Sequence, residues 1–355
     1  MTCSMNINAI RYAKPHARVR AMISELVTPG QKRGLVVSPG LEDALRQLYS
    51  TTYGTELAGV PTDGIRLLPV EKAFERNLVN AYDRVIRSLD GPPRVLVVEM
   101  LRRCEVDNLK AILGGVVTGV GAEEVGPNLL PLGRLSRLRL DDLLAARSVT
   151  DVIDSLGNLH YARVLRGALD RYEHEQSLFP LEVALDLYYY RHLWSVVEAL
   201  PSSDRAIATR MMGMRYDVIN VDWMLRYKAI YHLSAEEIFN YTLPYGYKID
   251  DEVIHRAGSA PDLSSLIAEL PDPYRQLLQP LTKESGNIWQ LEVGLNRYLW
   301  HGAKATLAGY PFQIGVILAF LFLKEAEIHD LKAILEGKRY GRSPDEIVAF
   351  LWGEL

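Results

Sequence analysis

Cysteine is almost missing from this chain of 355 residues: there are two, Cys3 and Cys104, with no paired spacing. That excludes a disulfide framework and a cysteine-built zinc site, and it suits a reducing compartment. No excess of basic charge is present; the formal net charge is −4, so nothing marks a nucleic-acid binder. The N-terminal MTCSMNINAIRYAKPHARVRAM has no apolar run of the kind a secretory signal needs, and no secretory signal is expected. The longest apolar run, Ile314 to Leu323 with its flanks, covers about 10–14 residues where a membrane span needs roughly 20. Strand-like alternation does not persist anywhere, and there is no low-complexity linker. The reactive signatures are missing too: no G-x-x-x-x-G-K-[ST], no H-E-x-x-H and no G-x-S-x-G. The glycine-rich Gly114–Gly121 follows a helix rather than a strand, so it reads as a helix-ending loop. One E-x-x-H occurs, Glu252 to His255; a di-iron bundle needs two such pairs and two further glutamates, so two polar side chains on the solvent face of a helix are the better reading. Glu325, Glu327, His329 and Asp330 are close in sequence, but on a helix Glu327 and Asp330 share a face that His329 does not.

What is there is ordinary globular composition, 48% hydrophobic and 24% charged, arranged with helical periodicity. Phe312 to Gly341 is the plainest case. Its first half is nearly all apolar, and Ile328, Leu331, Ile334 and Leu335 then recur at spacings of three and four. This predicts a helix with one end deep in a core, stopping at Gly337 with Lys338 and Arg339 beyond. Ser343-Pro344-Asp345-Glu346 then has the form of a capping box that opens another helix. Further helices are expected at Ala17–Leu26, Leu41–Leu48, Glu71–Leu89 after a Pro61–Gly64 turn, Val95–Leu113, Leu181–Leu200, Ala206–His232 and Ile288–Leu307.

The chain repeats itself. Glu327-x-x-Asp330-Leu-Lys-Ala-Ile-Leu335 echoes Glu105-x-x-Asn108-Leu-Lys-Ala-Ile-Leu113, and Asp217-x-x-Asn220-Val221 is a looser copy. Upstream, Leu181–Tyr188 matches Leu291–Tyr298, with Glu71 in a looser equivalent. Glu182 to Asp217 and Glu292 to Glu327 are both 35 residues, and Glu71 to Glu105 is 34. Leu130-Pro-Leu-Gly133 and Leu243-Pro-Tyr-Gly246 open corresponding segments that end near Tyr161 and Tyr274; Leu41 to Tyr53 holds the same place in the first copy. The expected architecture is therefore all-α, with three tandem helical-bundle modules of about 110 residues. Their bounds are 1–125, 126–238 and 239–355. Three copies that contact one another alike either close as a pseudo-threefold ring or extend as an open curve.

Glu105, Asn108, Asp217, Asn220, Glu327 and Asp330 are the residues to follow. Either they offer acidic groups to a partner, or they bond backbone and basic groups between neighbouring helices. Occurrence in every copy favours the second, structural role, because a buried carboxylate must be paired. Two basic stripes, Arg134/Arg137/Arg139 and Arg11/Lys14/Arg18/Arg20, could meet a lipid headgroup or an acidic partner; a solvated face is the default reading. No catalytic, cofactor-binding or metal-binding residue emerges.

The stretch PFQIGVILAFLFLKEAEIHDLKAILEGKRYGRSPDEI resembles the C-terminal signature of the C subunits of archaeal and bacterial V-type (A-type) ATPases, whose eukaryotic equivalent is the d subunit. FERNLVNAYDRVIRSL, VLVVEMLRRCEVDNLKAIL, Asp217-Val-Ile-Asn220 and Leu243-Pro-Tyr-Gly246 resemble it as well, so the similarity spans essentially the whole chain. The Asp217 copy departs most, with Asp222 and Trp223 where the others have Lys and Ala. The resemblance implies a non-catalytic part without a cofactor, present once per complex. It implies three helical modules forming a pseudo-threefold funnel on the cytoplasmic face of the membrane proteolipid ring, near the membrane stator. The tip of the central shaft, made of the D and F subunits, would plug into that funnel, so that the chain turns with shaft and ring and links ATP chemistry to ion movement. Two other readings compete. One is a cytoplasmic helical-repeat scaffold for proteins, unrelated to ATPases; the other is a metal-dependent bundle enzyme, which would require bound metal.

Overall fold

The computed structural model describes the backbone of residues 2–61, 66–284 and 288–355, and the side chains of 9–61, 66–280 and 288–355. The Cys3 side chain and the end of the Pro61–Gly64 turn lie outside the described residues. Among those described, every regular element is helical. In chain order the helices are α1 (Thr2–Ser24), α2 (Pro29–Val37), α3 (Leu41–Tyr49), α4 (Leu67–Ile86), α5 (Gly91–Leu101), α6 (Arg103–Thr118), α7 (Ala122–Val125), α8 (Leu140–Leu144), α9 (Val149–Ser155) and α10 (His160–Glu175). They continue as α11 (Phe179–Glu198), α12 (Ser202–Ala229), α13 (Ala235–Asn240), α14 (Asp251–Ser259), α15 (Leu263–Ala268), α16 (Tyr274–Glu284), α17 (Ile288–Leu307), α18 (Ile314–Arg339) and α19 (Pro344–Ala349). Among the described residues no helix is long and apolar enough to cross a membrane.

Two compact units result. The first combines residues 1–93 with 197–355, and the second is 94–196. At the centre of the first stands α18, packed on α1, α3, α4, α12, α17 and α19. Its apolar half, Ile314 to Leu323, is buried throughout, which is why no amphipathic stripe is visible there. The amphipathic half joins a core in which Ile328, Leu331, Ile334 and Leu335 meet Val27, Leu35, Leu45, Leu48, Tyr53, Val70 and Phe74. The segments 27–74 and 328–351 therefore share one hydrophobic interior, which supplies the main driving force for this packing. In the second unit, α6 packs on α7 and α9, and α9 on α8 and α10.

Several boundaries follow from local chemistry. Thr28 with Gln31, Ser234 with Glu237, and Ser343 with Glu346 form reciprocal capping boxes at α2, α13 and α19. Three expectations need correction. The helix expected over Val95–Leu113 is two, α5 and α6, with a tightened turn at Arg102, and α6 continues through Gly114 and Gly115 to an αL cap at Gly119 (φ 71°). The first helix starts far earlier than Ala17 and runs through Pro15. The anchor helix does not stop at Gly337. A Cβ there would lie 2.5 Å from Ile347 Cγ1, so this glycine serves close approach of α19, and the chain turns at Gly341 (φ 66°) instead. The 16-residue helix α10 was not anticipated.

Candidate functional site

Each of the three repeated acids sits on the inner face of a long helix and is buried, with relative exposures of 0% for Glu105 and Asp217 and 5% for Glu327. None is offered to solvent. Each collects donors from a loop backbone and from one buried tyrosine.

Glu105 lies in the first turn of α6. Its carboxylate accepts from the Arg137 backbone N–H, from Arg102 Nη1 (2.6 Å) and from Tyr161 Oη (3.0 Å). One turn on, Asn108 brackets a single residue: its amide donates to Leu130 O (3.0 Å) and accepts from Leu130 N (2.6 Å).

Asp217 repeats this on α12. Oδ1 accepts from Tyr247 N (2.9 Å) and Ile249 N (3.0 Å); Oδ2 accepts from Lys248 N (2.9 Å) and Tyr274 Oη (2.8 Å). Asn220 brackets Leu243 as Asn108 brackets Leu130, at 2.9 and 2.8 Å. Each bracketed leucine precedes a proline, whose missing N–H leaves the turn short of one donor. The loop closes on Asp217 only because residue 246 is glycine: a Cβ there would lie 2.3 Å from Ile249 O and 2.4 Å from Asp217 Oδ1.

Glu327 on α18 accepts from Val27 N (2.5 Å), Tyr53 Oη (2.7 Å) and Lys324 Nζ (2.8 Å). Here the backbone donor and the tyrosine come from the N-terminal segment, some 300 residues earlier. Asp330 stands where the other copies have Asn. It accepts from Trp352 N (2.7 Å) and Gly353 N (3.1 Å) and pairs with Lys32 Nζ (2.6 Å). A carboxylate cannot donate as an amide does, and the buried charge is balanced by the lysine.

The three acids differ electrostatically. Arg102 and Lys324 each stand three residues before their acid, within ion-pair distance; the same position in the middle copy is Met214. Asp217 therefore has only uncharged donors. Burial pushes its pKa up, opposed by its four hydrogen bonds. Burial acts in the same direction on Asp330, but His329, the Lys32 ammonium and the Trp352 N–H outweigh it and hold the pKa below the usual value. Burial, reinforced by the adjacent carboxylate, raises the hydroxyls of Tyr53, Tyr161 and Tyr274, which stay protonated donors.

Two more features recur. An aromatic ring meets each donor tyrosine edge-on: Tyr188 against Tyr161 (5.8 Å), Tyr298 against Tyr274 (5.5 Å) and Phe74 against Tyr53 (5.2 Å). A basic residue on each anchor helix also ties it to a neighbouring long helix: Lys110 to Asp186 (2.5 Å), Lys332 to Glu75 (3.1 Å) and Arg226 to Glu292 (2.6 Å). Asp222 explains the departure of the middle copy. With an acid at the lysine position, Arg226 one turn later makes the tie and also neutralises Asp222 (2.9 Å).

The other candidates resolve plainly. Arg137 is not part of a solvated stripe, since its backbone and guanidinium both serve Glu105; Arg139 pairs with exposed Asp142. Arg11 meets Asp204 at 3.4 Å, and Arg20 donates to Leu307 O at 3.1 Å. Glu252 pairs with Arg256, while His255 stacks on Phe239. Glu325 is held by Arg215 and Tyr82, apart from Glu327. No cluster of three or more metal-ligating side chains occurs among the described residues. Sequence reasoning passed over the hydroxyls of Tyr53, Tyr161 and Tyr274 as donors; their matching places at the ends of equivalent segments were the available signal.

Comparison with known proteins places these features in a family. The family profile described as ATP synthase (C/AC39) subunit matches residues 15–350. The chain is 28% identical to the C subunit of the A-type ATP synthase of Methanocaldococcus jannaschii over 98% of its length and 88% of that protein. It is 29% identical to the protein of the same name from Methanothermobacter thermautotrophicus, over 95% and 86%. Against the Pyrococcus abyssi counterpart, also named as the C subunit of an A-type ATP synthase, the identity is 26%, over 97% and 90%.

Proposed function

The chain belongs to the ATP synthase (C/AC39) subunit family, and from that premise we propose that it is a non-catalytic rotor subunit, a socket between the central shaft and the membrane proteolipid ring. In this reading the D and F subunits of the shaft insert into it, the ring carries it, and the membrane stator lies nearby. It is present once per complex, peripheral on the cytoplasmic face of the membrane. The observation that carries the proposal is the family match, which runs through all three anchor acids rather than through one segment. Family membership sets aside a scaffold unrelated to ATPases.

The anchors support a mechanical role. A part that transmits torque must not shear between its helices. Buried carboxylates with three or four donors each, in a low-dielectric interior, bind loops to helices more strongly than surface ion pairs do. The three modules, 1–125, 126–238 and 239–355, remain part of the proposal. In it the first two anchor acids take their loops from the sequence that follows them. The third takes its loop from the segment Val27 to Tyr53, so that the N-terminus completes the last repeat.

Co-purification tests the proposal. Gently solubilised native membranes should yield the chain together with a proteolipid ring and the soluble ATPase subunits. Recovery of the chain alone, away from all ATPase subunits, would sink it.

A further inference from the structure

Three segments of the first unit meet at one end of the α12–α17 pair. Arg11 of α1 reaches Asp204 at the start of α12, Arg20 of α1 reaches Leu307 at the end of α17, and His16 between them lies edge-on to Phe312 (5.4 Å). These segments, 9–24, 201–214 and 299–313, contain one acid, Asp204, which is fully buried and faces Arg11. Against it stand six exposed cations: Arg11, Lys14, Arg20, Arg205, Arg210 and Lys304. Among the described residues the side chains of Lys14, Arg205 and Arg210 make no hydrogen bond or ion pair. At the margin of the face the exposed Glu354 stands 3.9 Å from His301. Such a concentration of positive charge contrasts with the net charge of −4 for the whole chain.

Apolar groups accompany the charge. Ile10 is 81% exposed and Tyr310 46%. Between α12 and α17 runs a groove of about 440 Å³ lined by Ile207, Met211, Met214, Leu299, Ala303 and Phe322, with Arg210 in its wall. The volume falls in the range of small-ligand sites. Met214 occupies the position that carries Arg102 and Lys324 in the other repeats, so the groove is apolar where they would place a charge.

We infer that this face binds an anionic lipid surface, with the cations on lipid phosphates, Ile10 and Tyr310 at headgroup level and one acyl chain entering the groove. Cations spread over three helices, α1, α12 and α17, suit a sheet of phosphates better than a single carboxylate, which a guanidinium fork would take. An apolar residue and a tyrosine beside them are what an interfacial site adds to electrostatic attraction. The inference rests on the proposed function only for the nearness of a membrane. If vesicle binding fails, complex membership stands; if co-purification fails, vesicle binding stands.

The test is flotation of the full-length chain with vesicles of phosphatidylcholine alone or mixed with phosphatidylglycerol. The chain should float with the mixed vesicles only, and added salt should release it. The triple variant Lys14→Glu/Arg205→Glu/Arg210→Glu should partition about a hundredfold less while keeping the parent's circular dichroism and urea midpoint. Ile10→Ser/Tyr310→Ser, which leaves every charge in place, should also weaken flotation. Equal flotation with both vesicle types, or wild-type flotation by the charge variant, overturns the inference. Capture by polyglutamate without flotation also overturns it and assigns the face to an acidic protein.

Discussion

Removing one oxygen atom from each donor tyrosine separates the three anchors. Tyr274→Phe keeps the ring, its edge-on contact with Tyr298 at 5.5 Å and the core volume, and deletes only the hydroxyl that reaches Asp217 Oδ2 at 2.8 Å. That oxygen is then left with one donor, Lys248 N, and among the described residues no cation forms an ion pair with it. A hydrogen bond to a charged group contributes about 1.5–3 kcal/mol, and with nothing to substitute for it the cost here should lie at the upper end. Tyr53→Phe deletes the bond to Glu327 and the one accepted from Lys324 at 2.8 Å, but leaves the Lys324–Glu327 ion pair. Tyr161→Phe deletes a longer bond, 3.0 Å, while Arg102 and Arg137 stay on Glu105; its cost should be about 1 kcal/mol. The expected order is Tyr274 above Tyr53 above Tyr161. Urea unfolding of the isolated chain, followed by helical circular dichroism with the slope checked for constancy, measures it. Tyr310→Phe, at a half-exposed ring, is the control. If Tyr274→Phe matches that control, or costs less than Tyr161→Phe, the idea that an uncharged donor set makes Asp217 the most dependent anchor is wrong.

The pKa directions of two acids predict opposite pH dependences. Asp217 is raised, so between the ordinary aspartate value and its folded value the native state holds the extra proton, and its contribution to stability falls as pH rises through that window. Asp330 is lowered; its contribution is complete above the ordinary value and is lost as pH falls through the depressed one. Asp217→Asn should thus remove a decline with rising pH and Asp330→Asn a rise, both read from urea midpoints at acid pH; the same sign for both would contradict the assignment. Gly246→Ala should cost about 1–3 kcal/mol or more because its Cβ meets backbone and carboxylate oxygens, whereas Gly30→Ala, with nothing within 4 Å, should stay within about 0.5 kcal/mol; equal midpoints would show that the loop yields. Elemental analysis of the purified chain should find no stoichiometric metal, and a tightly held ion would revive the bundle-enzyme reading.

Much of the helical layout was legible because it rests on periodicity and caps. Ile288–Leu307 and the Ser343 capping box lie where the sequence places them. The acids could be singled out because their spacing recurs. Their partners could not, since the distance from Tyr53 to Glu327 in the chain says nothing of their contact in space, and a phenol donor looks like any buried tyrosine. Gly337 misled because glycine breaks a helix by local propensity, and in the folded chain packing overrides that propensity. Met214 and Asp222 show the converse. The middle repeat departs most from the others, yet these two departures have physical counterparts, an uncharged anchor for Met214 and a tie moved to Arg226 for Asp222.

The most direct test of the socket reading is coupling in native membrane vesicles stripped of this chain and then resupplied with it. The reading predicts that the stripped vesicles lose ATP-driven ion uptake while the catalytic subunits still hydrolyse ATP, and that the purified chain restores uptake. Uptake that persists without the chain, or hydrolysis that requires the chain when ring and membrane are absent, would contradict it.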